Sequence, residues 1–161
     1  MLCRLRLVDK KVMKRFVLML FLAVVSVSGY SQSPVEDLIG KYRGLSGASG
    51  VSLSGFELFL ARPALNASPL GPVASDVQKL IVLHMGSTSP AVRNVFEKSL
   101  YGTLGAYDKL GDHMSANGPV EVYAKFSDVE MVSELVVYNT MLYILNDIQG
   151  EFNIKTLEKL K

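Results

Sequence analysis

Three strand-like runs near the C-terminus, separated by turn-forming pairs, constrain this chain more than any other feature. Val120 to Phe126 alternates apolar and polar residues. Ser127-Asp128 turns the chain into Glu130 to Tyr138, and Asn139-Thr140 turns it into Met141 to Ile148. Period-two alternation marks strands with two unlike faces, and connections this short join only antiparallel neighbours. One weaker strand, Asp108 to Ser115, precedes them through Asn117-Gly118, a strong hairpin pair. Gly150 is expected to stop the sheet.

Upstream, Ser33 to Arg43 predicts a short helix. Ser33 suits the N-cap, Pro34 the first turn, and Glu36 and Asp37 the positive end of the helix dipole. Val35, Leu38, Ile39 and Tyr42 form its apolar stripe. Gly44, Gly47 and Gly50 punctuate a flexible connection into a short strand, Gly50 to Ser54. Ser54 and Glu57 read as a capping box, and the helix that follows is expected to end near Arg62, because Pro63 disfavours helical geometry before it. Arg62 to Ser75, with three prolines, reads as a loop. Gln78 to Met85 is a buried-type strand. Ser89-Pro90 opens the longest helix, with Val92, Phe96, Leu100 and Leu104 at successive fourth positions. Gly102 and Gly105 weaken that helix, so close packing against the sheet is expected there. Asn153 caps a last helix bearing Ile154, Leu157 and Leu160. Segregated strands and helices give an α+β fold: an antiparallel sheet with a C-terminal meander and helices packed mainly on one face.

The N-terminus reads as a leader. From Met13, a basic pair (Lys14, Arg15) precedes the apolar run Phe16 to Val25 and a small-residue tail with Gly29 and Ser31, so cleavage is expected between Ser31 and Gln32. Residues 1–12 read as a mis-called extension, although a long basic n-region starting at Met1 is the alternative. The uncharged stretch from Phe16 to Tyr30 falls short of the roughly 20 apolar residues of a membrane span, so no retained span is expected. The domain is then 32–161, exported to the periplasm or outside the cell. The leader takes six of the 17 basic and one of the 15 acidic residues, leaving 11 and 14, a formal charge of −3. A mildly acidic domain is a poor nucleic-acid binder. The only cysteine, Cys3, goes with the leader, so disulfides, thiol catalysis and thiolate metal sites are excluded from the remainder.

From about Lys41 to the C-terminus the chain resembles DUF4252, a family of exported Bacteroidetes domains of unknown function. The resemblance is carried by Tyr107-Asp108-Lys109-Leu110, Val120 to Lys125, Ser133 to Tyr138, and Ile148-Gln149-Gly150-Glu151-Phe152 with Leu157 and Leu160. Lys41-Tyr42 and Gly50-Val51 also fit. The resemblance implies an exported domain and brings no catalytic residues.

No cofactor and no metal are expected. His84 and His113 have no partner at ligand spacing. Gly44-Leu45-Ser46-Gly47 lacks the final glycine of a nucleophile elbow, and no lysine and Ser/Thr pair follows the glycines to make a phosphate loop. Glu130 and Glu134 read as a solvated strand face. The expected function is a non-enzymatic binding or interaction domain of the bacterial cell envelope, with an envelope protein or a second copy as partner. The alternative is a hydrolase-like enzyme assembled from distant residues, such as His84 or His113 with Asp112 and a serine. The candidate binding face follows from parity. Glu121 and Lys125 turn Tyr123 outward, Glu134 does so for Val136 and Tyr138, and Asp147 for Tyr143 and Leu145. That face either receives a partner or lies under the N-terminal helix or a second copy.

Overall fold

The computed structural model describes residues 32–159. The leader, its boundary residue Ser31 and the expected contribution of Leu160 lie outside the described residues. The chain runs α1 (Pro34–Tyr42), β1 (Ser49–Ser54), α2 (Gly55–Asn66), a 3-10 turn (Gly71–Val73), β2 (Val77–His84), α3 (Pro90–Leu104), β3 (Asp108–Ser115), β4 (Gly118–Asp128), β5 (Met131–Asn139), β6 (Ile144–Asn153) and α4 (Ile154–Leu157). The fold is α+β. One antiparallel sheet has the order β1-β2-β6-β5-β4-β3. The meander β3 to β6 forms in the expected order, but Ser127-Asp128 lies within β4, with the turn at Val129-Glu130, and β6 begins at Ile144 rather than Met141. Strand β2 enters beside β6 to carry β1 on the far edge.

Strand alternation divides the core between the two faces of this sheet. On one face, α1 and α3 cover Ile81 and Leu83 of β2, Tyr123 of β4, Val136 and Tyr138 of β5, and Leu145 of β6. On the other, α2, the 3-10 turn and α4 cover Leu80, Ala124, Val132, Leu135, Ile148 and Phe152. The longer helix pair thus occupies one face, but the opposite face is helix-covered too.

Several local details depart from the sequence reading. Helix α2 runs through Pro63 to Asn66, with no side-chain cap from Ser54. Its last turn is held from outside: Leu65 is buried, and the Arg62 guanidinium donates to the carbonyls of Ser75 (2.9 Å) and Val77 (3.5 Å). Tertiary anchoring outweighs the missing proline donor. Gly150 does not stop the sheet. It sits inside β6 because a Cβ there would lie 2.2 Å from the Asp76 carbonyl oxygen. Gly47 is more than a flexible joint: its φ is +83°, and a Cβ would meet the Ser87 carbonyl oxygen at 2.3 Å. Gly102, by contrast, has open space around it, so it does not mark close packing. The caps at Ser33 and Ser89 form as expected, with each hydroxyl oxygen accepting a backbone N–H three residues on, at 3.0 and 3.3 Å.

Candidate functional site

The face expected to be open is covered. Tyr123, Val136, Tyr138 and Leu145 are buried and belong to the core beneath α1 and α3, and Tyr143 is half-buried against it. Parity placed these residues together correctly, but the layer above them is the chain's own pair of helices. The partner-site reading of this face is therefore corrected in favour of the covered one. The ring of Tyr138 lies edge-on to Phe96 and Tyr101, and its hydroxyl donates to Glu97 on α3 at 2.8 Å. Burial and that carboxylate push the Tyr138 phenol well above its usual range. Arg93 of α3 stands 4.8 Å from the Tyr143 ring centroid, a cation–π arrangement that helps fix the end of α3.

Of the charged residues of that face, Lys125 is exposed and Glu121 half-buried, but Glu134 and Asp147 are not a solvated rim. Glu134 is 3% exposed and Asp147 0%. Register explains their meeting: Lys79, Gln149 and Glu134 form one cross-strand row, and Ile81, Asp147 and Val136 the next. Glu134 and Asp147 are thus diagonal neighbours on one face, within side-chain reach. Helix α1 adds Glu36, which pairs with Lys79 and accepts from Gln149 Nε2 at 3.2 Å. The same Nε2 donates to Asp147 Oδ2 at 2.9 Å, and the Tyr107 hydroxyl donates to Glu134 Oε1 at 2.9 Å. Asp147 Oδ1 is buried with no donor facing it. Burial first, then the Glu134 charge, pushes the Asp147 carboxyl up to about 8. At neutral pH this acid therefore keeps its proton. With Oδ2 already accepting from Gln149, the unpartnered Oδ1 is the oxygen left to carry it. Buried at Glu134 and Asp147 and half-buried at Lys79 and Gln149, the cluster ties α1 to the sheet through the Gln149 hydrogen bonds and the Lys79–Glu36 ion pair.

The histidines stay apart from this cluster. His84 ends β2 and is half-buried, and His113 lies exposed on edge strand β3. Neither side chain hydrogen-bonds to a serine or a carboxylate among the described residues, and Asp112 instead pairs with Lys109 at 2.7 Å. No set of three potential metal ligands comes together among the described residues.

An open apolar surface lies on α2, which covers the opposite face of the sheet. Phe56, Phe59 and Leu60 of α2 are 72%, 64% and 61% exposed. They recur at i, i+3 and i+4, and the two phenyl rings stack with centroids 6.4 Å apart. Leu58 and Leu65 of the same helix point the other way, into the core. The helix is thus apolar on both sides, one more than its packing uses. Beside it, β1 is an edge strand whose Val51 is exposed as well. Sequence reasoning missed this surface because it ended the helix at Pro63 and gave the apolar residues no direction. The i, i+3, i+4 spacing of Phe56, Phe59 and Leu60, set against Leu58, was the available signal. No protein-family model, curated protein or solved structure matches the chain.

Proposed function

We propose that this chain is an exported, non-enzymatic binding domain of the bacterial cell envelope, akin to the DUF4252 domains it resembles, and that it works without a cofactor. The leader and the cysteine-free remainder support export. The observation that carries the binding role is the outward stripe of α2, Phe56, Phe59 and Leu60. Single exposed apolar residues need no explanation, but three adjoining large ones on one rigid helix mark an interaction surface. Aromatic side chains are the residue types that dominate interface energetics. A helix face with anchors at this spacing fits an apolar groove or sheet of an envelope protein.

The test is affinity capture from envelope extract with the wild-type domain and with Phe56→Glu combined with Phe59→Glu. Both positions are exposed, so the variant should melt like wild type while losing the captured proteins. An identical captured set from a folded variant would remove the stripe from consideration.

A further inference from the structure

The two edges of the sheet are built differently, and the difference points to a second copy of the chain. Edge strand β3 carries Asp108, Lys109, Asp112 and His113, with a register irregularity between Lys109 and Gly111. Charges and bulges are the devices by which sheets discourage pairing at an edge. Edge strand β1, Ser-Gly-Val-Ser-Leu-Ser, carries no charge and no proline, and all six of its residues pair with β2 without a break. Among the described residues, nothing pairs with its outer side.

We propose that β1 pairs antiparallel with β1 of a second copy, extending the sheet across a two-fold axis at Ser52. A strand that pairs with itself sets like residues near like, which β1 tolerates because it has no charges to oppose. The register follows from the side chains. Val51 and Leu53 lie on the α2 side of the sheet, since their partners in β2 are Val82 and Leu80, which pack there. With Ser52 opposite Ser52, Val51 of each copy meets Leu53 of the other, making two apolar pairs on that face. A register centred on Val51 would set Leu53 against Ser49 and waste both. An extended peptide of another protein would satisfy the backbone equally well, but β1 already holds both halves of its own complement. The axis is perpendicular to the sheet, so both copies of α2 lie on the same face with their outward stripes turned the same way.

The inference is independent of the α2 stripe, and it is read in purified protein with no envelope partner present. Sedimentation of the exported chain should show a dimer. Ser52→Lys and Ser52→Glu, at an exposed position, should each be folded monomers, and mixing the two should restore a dimer of one copy of each. Because the exported chain has no other cysteine, Ser52→Cys should oxidise to a disulfide-linked dimer faster than Met114→Cys on the opposite edge, since opposed Cα atoms in an antiparallel pair lie within disulfide range. A monomeric wild type, or a dimer that survives Ser52→Lys, overturns the proposal. So does a wild type that stays monomeric while an extended peptide protects the β1 amides from exchange.

Discussion

Asp147 shows how a single side chain can set the pH response of the whole domain. Unfolded, its carboxyl loses a proton near the usual 3.8, while folded it keeps the proton to about 8. Between these values the folded state holds one proton more, so stability falls as pH rises from about 4 to about 8 and then levels off. The slope is at most about 1.4 kcal/mol per pH unit. Asp147→Asn preserves the acceptor for Gln149 and offers an N–H where the protonated acid offered its O–H. Urea denaturation from pH 5 to 9 should therefore show a falling stability for wild type and a flatter line for the variant, with the variant ahead at the alkaline end. Equal slopes for both would mean that another group titrates. The hydroxyl of Tyr138 is a smaller case. Tyr138→Phe keeps the ring against Phe96 but removes the bond to Glu97, and should cost about 0.5–1.5 kcal/mol in the same assay.

At the scale of elements, helix α3 carries a correctable weakness. Gly102 lies inside the helix with no atom within 4 Å of where a Cβ would stand, and its φ is not positive. Gly102→Ala should raise stability by about 0.5–1 kcal/mol, chiefly by restricting the unfolded chain. A loss on substitution would mean that something packs there after all. The elements themselves were mostly legible. Ser33-Pro34 and Ser89-Pro90 announced two helices, Asn117-Gly118 a hairpin, and the alternating runs a meander. What the sequence left unread was the layer above each face. Glu134, Tyr138 and Asp147 were correctly grouped on one side of the sheet, but alternation says which residues share a face and nothing about what covers it. A buried acid pair looks, in sequence, like a solvated one, because the cross-strand register that joins Glu134 to Asp147 is a tertiary property. For the same reason Pro63 and Gly150 read as breaks, although Arg62, Leu65 and the Asp76 carbonyl hold both in place.

The described domain is two apolar layers sharing one sheet. Strand β5 sends Val136 and Tyr138 into the layer under α1 and α3, and Val132 and Leu135 into the layer under α2 and α4. Strands β2 and β6 divide their side chains in the same way. Neither layer can lose its packing while the other keeps a complete wall, so the two should unfold together. Leu100 of α3 and Leu58 of α2 are both buried, on opposite faces. Each truncation to alanine should cost about 2–5 kcal/mol, the usual range for a buried leucine. The decisive reading is the shape of the transition. With probes placed on α2 and on α3, each variant should show one coincident unfolding curve, shifted equally at both probes. If Leu58→Ala lowered the midpoint at α2 alone, the α2 face would be a separately melting layer, and the shared strands would not couple the two cores.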